Sequence, residues 1–364
     1  MSIPMRMLGA GAVMLFAAVL ATPPAAAKRV RPSLKYIEIN GSSKVTPEAV
    51  QTKYQQDIER LLLARARRST QSGRDAQRYE AAIVNGVKDM GGFAWIRLHI
   101  IELEETADEK PYMFIFEVVE KKDMATRMPF RSDPTDDFPD TSNLIEAWGR
   151  YEALGRAFEA KSVTVLERPD CLSFYCVWGA LTPELGKLEK EFAAGVPVHR
   201  ELLEKILREH RNPVYRKNAL FLLAYLRDGS AVSGFAASGL MDPDAGVRDA
   251  AVSVLNDLTV HHTDVPVAIH EINRLLDVPF PGDRTKALAL MLNLADNPNY
   301  KRFLVKNAAR QIMKLLRSRH PNNHNMAYTV LGILSGESFD QRDYDAWDRW
   351  HWTALKELET PSKE

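Results

Sequence analysis

Two kinds of hydrophobic patterning divide the chain. Near the N-terminus, apolar and polar residues alternate, which is typical of half-buried strands. Such runs predict strands at 35–41, 95–103 and 112–119. Between the first two strands, apolar residues at helical spacing predict two helices. Thr46 caps the first of them, and a basic, polar connection leads to the second helix at about 77–90. The pattern therefore predicts a small β-α-α-β-β domain.

Helical periodicity replaces the strand signals after Asn143, and part of it recurs. In each copy a small alanine lets neighbouring helices approach, and the larger apolar residues after it fill the contact. The recurring positions are Arg216 and Ala219, Arg248 and Ala251, Arg284 and Ala287, and Ala327. We expect Asn212-Pro213 and Asp242-Pro243 to end one helix and cap the next. Other helices are predicted at 144–160, 185–192, 199–209, 265–276 and 300–317.

These two regions resemble known families. The first resembles a POTRA (polypeptide-transport-associated) domain, through Ile37-x-Ile39-x-Gly41, the paired helices and the strand from Phe114 to Glu120. The second resembles HEAT repeats. The resemblance lies in the segment 242–258, which contains an Asp-Pro turn, then Val-Arg, and then a helix with Ala and Leu inside it. The resemblance implies an α+β multidomain protein, mostly α, in which the small domain precedes an irregular HEAT-like α-solenoid. It also implies that a sheet edge binds extended polypeptide, as POTRA domains do.

The first residues have the pattern of an export signal. Arg6 precedes an apolar run at 7–20, and small residues lead to a predicted cleavage site after Ala27. An uncleaved anchor is the alternative. We expect a periplasmic bacterial protein, or a secreted one, with no transmembrane span in the mature chain. The predicted segments are a signal peptide at 1–27, a POTRA-like domain at 33–121, a linker at 122–142, a helical cap at 143–210 and a solenoid at 211–358.

Composition narrows the possible functions. The 364 residues include 48 basic and 48 acidic ones, and this balance argues against nucleic-acid binding, which needs a basic footprint. Two cysteines are too few for a disulfide scaffold or a four-thiolate zinc site. Cys171 and Cys176 lie in a loop opened by Pro169-Asp170, where the two thiols can meet. An oxidising compartment therefore predicts a disulfide between them.

Candidate chemistry is sparse along the chain. Two groups of histidines lie at 261–270 and 320–324, but neither has the spacing of a metal site. His270-Glu271 begins like an HExxH motif, but Arg274 stands where its second histidine would be. In the other group, Pro321 lies between His320 and His324 and interrupts the helix that would align them. We find no nucleophile or phosphate-binding motif and predict no catalytic residue, metal or cofactor. The basic cluster at 60–78 is typical of a solvated helix end, with contact to anionic lipid as the alternative.

Two surfaces are candidates for binding. The strand at 95–103 is predicted to form a sheet edge, whose mixed apolar and basic side chains suit a partner strand. A tryptophan group near the C-terminus is predicted to seal the end of the solenoid, with stacking on a sugar or peptide as the alternative. The strand residues are Trp95, Arg97, His99 and Ile101, and the tryptophans are Trp347, Trp350 and Trp352.

The leading hypothesis is a non-catalytic periplasmic scaffold that binds a protein or peptide in envelope assembly or transport. The alternative is a secreted hydrolase whose site forms between the two domains, and a third hypothesis is a purely structural tether. Buried, converging titratable side chains would favour the hydrolase. An apolar or charged stripe along the helices would favour the scaffold over the tether.

Overall fold

The computed structural model describes residues 31–67, 69–104, 106, 108–160 and 170–359. The predicted signal peptide at 1–27 lies outside these residues. The protein is α+β and mostly α, with a three-stranded sheet near the N-terminus followed by many helices. None of the helices within these ranges combines the length and the apolar character needed to cross a membrane.

The N-terminal sheet unit has the predicted β-α-α-β-β order. Its elements are β1 (Arg31–Asn40), α1 (Pro47–Arg67), α2 (Thr70–Gly91), β2 (Trp95–Glu102) and β3 (Glu109–Val119). β3 lies in the centre of the sheet, parallel to β1 and antiparallel to β2. α2 begins earlier than the periodicity predicts. Ser69 and Ser72 form a reciprocal capping box there, which satisfies backbone N–H groups at the start of the helix.

Both faces of β3 are buried, because successive strand residues point to opposite sides of the sheet. Phe114 and Phe116 face α1 and α2 and pack in one apolar core with Leu61 and Ile83. Glu117 points the other way, toward the helices that follow. The sheet therefore lies between its own helix pair and the rest of the chain.

The helical part follows the sheet unit. Its elements are α3 (Met124–Arg127), α4 (Leu144–Glu159), α5 (Pro183–Val198), α6 (Arg200–Glu209), α7 (Pro213–Leu223), α8 (Gly229–Gly239), α9 (Ala245–His261), α10 (Ile269–Arg274), α11 (Pro281–Leu294), α12 (Pro298–Phe303), α13 (Ala309–Leu316), α14 (Pro321–Ser335) and α15 (Tyr344–Glu359). A π-helical turn at Leu304–Ala308 joins α12 to α13.

These helices form two packed layers. Helices α7, α9, α11 and α14 pack side by side, while α6, α8 and α13 contact them from the other layer. The four recurring alanines lie fully buried on the first of these layers.

Residues 128–142, within the predicted linker, form a strap that packs along the helical part. The backbone N–H of Arg131 donates to the carbonyl of Met241 at 2.9 Å, and its guanidinium donates to the Leu207 carbonyl at 2.8 Å. Farther along, the Asp136 carbonyl accepts from the N–H of Arg211 at 2.7 Å. The segment that connects the two regions is thus also part of their packing.

Candidate functional site

A groove of about 360 Å³ opens beside the Cys171–Cys176 loop, between α4 and the outer face of α7 and α9. Phe221 of α7 forms its floor. The Tyr175 ring stacks on Phe221 with centroids 4.5 Å apart, and Trp148 of α4 stacks on Phe221 at 5.3 Å. We call this surface the aromatic groove. Its lining includes Trp148, Glu152, Tyr175, Trp178, Lys217 and Phe221.

The predicted disulfide is confirmed, and it holds the loop that carries Tyr175. Cys171 and Cys176 are bonded, with their Cα atoms 5.7 Å apart. The backbone N–H of Cys176 donates to the carboxylate of Asp257 on α9 at 2.8 Å, and that of Phe174 donates to the Ala224 carbonyl at 3.0 Å. The loop is therefore closed covalently and also fixed to α9 and to the end of α7.

A buried carboxylate anchors the loop from beneath. Glu189 of α5 accepts hydrogen bonds from the hydroxyls of Tyr151 at 2.6 Å and Tyr225 at 2.8 Å, and from the backbone N–H of Leu172 at 3.2 Å. Burial, reinforced by Glu189, raises the pKa of both tyrosines. Both phenols therefore stay protonated and continue to donate. These three hydrogen bonds hold the loop against α5.

The rim of the aromatic groove carries both signs of charge. The Lys217 ammonium lies 3.1 Å from the Glu152 carboxylate, and Trp178 donates its indole N–H to Glu159 at 2.9 Å. Burial, with Asp257 and Glu152 nearby, raises the pKa of Tyr175 to about 12, so its ring is neutral at physiological pH. The groove thus combines neutral aromatic faces with polar edges, an arrangement suited to binding.

A second polar site lies where the sheet meets the helical part. Glu117 of β3 is 0% exposed and accepts from Asn40 of β1 at 3.1 Å and from Arg284 of α11 at 3.1 Å. Arg127 lies 3.6 Å from the same carboxylate. At the edge of this contact, Glu38 accepts from the backbone N–H of Arg319 at 2.8 Å. We call the group of Asn40, His99, Glu117, Arg127, Arg284 and His320 the seam.

The surroundings of two histidines in the seam keep their rings neutral. The Nε2 atom of His99 and the Nδ1 atom of His320 are buried and have no hydrogen-bond partner among the described residues. Burial lowers the pKa of both histidines. Arg284 lowers both pKa values further, while the Glu117 carboxylate partly opposes the effect. Both rings are therefore neutral near pH 7.

The predicted interaction strand lies at a sheet edge, since β2 pairs with β3 alone within the described ranges. Its candidate side chains, however, face the helical part. The Trp95 ring meets Phe280 at 5.3 Å, and the Arg97 guanidinium lies 5.6 Å from the same ring. His99 belongs to the seam, and Ile101 is half-buried. Trp95, Arg97 and His99 therefore contribute to contacts with the helical part, although Arg97 is itself exposed.

The recurring arginines form a ladder across the side-by-side helices. Arg216 donates to Asp242 at 2.8 Å, and Arg248 donates to Asp283 at 2.9 Å. Arg284 donates to Asn323 at 3.1 Å in addition to Glu117. The prediction that Asp242 caps a helix is wrong: Asp244 caps α9, and the Asp242 carboxylate is used by Arg216. Asn212 does cap α7, as predicted.

The tryptophan group does not form one patch. Trp347 is fully buried against Phe339 and Tyr328 and donates its indole N–H to the Asp340 carbonyl at 3.1 Å. Trp350 packs against Trp347 at 6.3 Å. Trp352 is 63% exposed. Trp347 therefore joins α15 to α14 and Trp350 packs beside it, whereas Trp352 lies on the surface.

Among the described residues, no group of three or more His, Cys, Asp or Glu side chains is arranged to hold a metal ion. His324, for example, bonds the Leu316 carbonyl and Gln341. No protein-family model, curated protein or solved structure matches this chain. Sequence reasoning missed the aromatic groove, and its only local signal was the density of aromatic residues around Cys176.

Proposed function

We propose that the protein is a non-catalytic binding scaffold of the bacterial cell envelope, and that it holds a protein or peptide segment in the aromatic groove. The observation that carries this proposal is the stacked wall of Tyr175, Phe221 and Trp148, held open by the disulfide loop. A surface fixed in advance loses little conformational entropy on binding. The disulfide and the N-terminal signal pattern support a periplasmic or secreted location.

The layer of α7, α9, α11 and α14 supports a polypeptide ligand in particular. In this proposal it is a HEAT-like solenoid that follows a POTRA-like sheet unit. Solenoids present extended surfaces, and polar pairs continue the rim of the groove across neighbouring helices. Lys286 of α11 pairs with Asp249 of α9, and Asn293 donates to Asn256 at 3.2 Å. An extended chain that lies across these helices would contact the aromatic rings of the groove and, farther along, the hydrogen-bonding side chains of α9 and α11.

The open edge of β2 is a second proposed contact for extended polypeptide, through main-chain hydrogen bonds. The hydrolase hypothesis relies instead on the titratable groups between the two regions. These groups do converge in the seam, but the Glu117 carboxylate is occupied by Asn40, Arg127 and Arg284. We therefore favour a structural role for the seam and a binding role for the aromatic groove.

Photo-crosslinking in intact cells tests the groove. A photoreactive residue replaces Ser253, which lines the groove, and a matched one replaces Ser238, which is exposed on α8 in the other layer. We expect a discrete partner to be trapped from position 253 only. Tyr175→Ala should reduce that product several-fold, while Tyr175→Phe, which keeps the ring, should retain it. Equal trapping at both positions, or no effect of Tyr175→Ala, would contradict the proposal.

A further inference from the structure

A second groove carries a strong positive charge that nearby carboxylates balance only in part. Although the whole chain has equal numbers of acidic and basic residues, the segment 297–336 contains no Asp or Glu. Its basic residues are Lys301, Arg302, Lys306, Arg310, Lys314, Arg317 and Arg319. Lys306 lies in the π-helical turn, Arg310 and Lys314 lie in α13, and Arg317 follows α13 directly; all four are exposed. Their spacing of three or four residues places them on one helical face.

This face lines a cavity of about 590 Å³ that reaches toward α15. Arg310, Lys314 and Arg317 line it together with the amide side chains of Asn307 and Gln311. We call it the basic groove. Among the described residues, a single carboxylate lines it: Asp348 of α15, which lies 2.7 Å from Arg317. Both partners of that ion pair are substantially exposed, so the pair is weak and exchangeable.

The other two cations are less compensated. Arg310 and Lys314 have no carboxylate within ion-pairing distance in the part of the chain that the structure describes. Asp277 is near enough to Lys314 for the ammonium to oppose the rise that burial causes in the pKa of Asp277. Two cations side by side in a concavity focus a positive potential into it.

We propose that the basic groove binds an acidic, extended segment of a polypeptide. The stretch from Asn307 to Arg317 is about 15 Å long at the helical rise, which matches about five residues of extended chain. Carboxylates on such a segment would reach Arg310 and Lys314, and would displace Asp348 from Arg317. A concave site takes up a narrow chain, whereas a planar membrane surface would favour cations on a convex face. This inference does not depend on the aromatic groove.

Fluorescence anisotropy of the full chain with two labelled peptides tests the proposal. The probe is a peptide of about eight alternating Glu and Ala residues, and its control contains Gln in place of Glu. We expect binding of the acidic peptide only, weakened about tenfold between low and physiological salt. The double variant Arg310→Glu/Lys314→Glu should lose about 30-fold or more in affinity. The matched control Arg67→Glu/Arg74→Glu changes the same charge on α1 and α2, and should bind like the unchanged protein.

A gain of affinity provides an independent test. Asp348→Asn removes the competing carboxylate and should strengthen binding of the acidic peptide about threefold. Unchanged thermal midpoints of all variants would show that each is folded. Equal binding of the Gln peptide, or an equal loss in the α1/α2 control, would overturn the proposal. Binding to anionic lipid vesicles that depends on Arg310 and Lys314, without binding of the acidic peptide, would assign the groove to membranes and also overturn it.

Discussion

Both faces of β3, the central strand of the sheet, are buried, but only one of them buries a carboxylate. Toward α1 and α2, β3 presents Phe114 and Phe116 to an apolar core. Toward the helical part it presents Glu117, which meets Arg127 and Arg284 in the seam. Apolar contacts are non-directional and tolerate replacement by side chains of similar volume, whereas a buried charge needs its partner. The first face therefore stabilises the sheet unit, and the second determines what the unit attaches to.

The largest expected effect is on the apolar face. Phe116 is fully buried, so Phe116→Ala leaves a cavity in the core, and we expect it to lower the free energy of unfolding by about 3–5 kcal/mol. Urea unfolding monitored by circular dichroism measures the change. Phe116→Leu retains most of the side-chain volume and should lower the free energy of unfolding by clearly less. A decrease under about 1 kcal/mol for the alanine variant would mean that the apolar face contributes little to the stability of the protein.

On the charged face, Glu117→Ala strands the guanidinium of Arg284 in a buried position. We expect a loss of about 3 kcal/mol, together with faster hydrogen exchange in β3 and at the start of α11. The double variant Glu117→Met/Arg284→Met should recover part of this loss, because Arg284 is then no longer a buried cation without its carboxylate, while Arg127 keeps its hydrogen bonds to the carbonyls of Val118 and Asp277. If the double variant is as unstable as the single one, then the seam depends on its ion pair and not only on charge balance.

The seam should also make stability depend on pH. Burial lowers the pKa of His99 and His320 below the ordinary value of 6.5, so below about pH 6.5 the unfolded chain binds protons that the folded protein does not. Stability is therefore complete above pH 6.5 and falls as the pH drops toward the folded pKa values, by up to about 1.4 kcal/mol per pH unit for each histidine.

Melting temperatures measured from pH 7 to pH 5 test this dependence. The variant His99→Met/His320→Met should show a flatter profile over that interval. Asp242 provides a comparison with the two histidines. Its hydrogen bonds with Arg216 and Arg131 hold its pKa below the usual 3.8 despite burial. The stability that Asp242 contributes is therefore lost only at a pH below the range in which the histidines act. A profile unchanged by the double variant would exclude the histidines as its cause.

The smallest effect is expected at the rim of the seam. The Arg319 guanidinium lies over the Tyr36 ring at 4.3 Å, and Tyr36 is largely exposed. Arg319→Ala should cost only about 0.5 kcal/mol, since exposed cation–π contacts are weak and the backbone hydrogen bond to Glu38 remains. Arg319→Lys should retain part of the contact. A loss as large as that of Glu117→Ala would show that the rim and the centre of the seam act as one unit.

Local features of the fold were predictable, because they depend on neighbouring residues. Strand alternation, the alanine positions and the disulfide all follow from short stretches of sequence, and the structure contains each of them. The start of α2 was predicted too late, because Ser69 and Ser72 were not recognised as a capping box. Glu117 was a missed signal: a lone acid within an apolar strand indicates a buried partner.

The sites depend on residues far apart in the chain and were not predictable in the same way. Glu117 and Arg284 are separated by 167 residues. The aromatic groove combines Trp148, Tyr175 and Phe221 from three separate segments, and no local pattern relates them. Periodicity identifies the buried face of each helix, but it does not identify which exposed faces come together.

The seam also limits the order in which the molecule can assemble. During synthesis the chain emerges N-terminus first, so the sheet unit is complete long before its partners exist. Glu38 can accept its hydrogen bond from Arg319 only after 281 further residues have been made. Until that part of the chain arrives, a carboxylate-bearing sheet face is open to water and to other proteins. This face is thus closed only once the chain has been made from α11 to the start of α14.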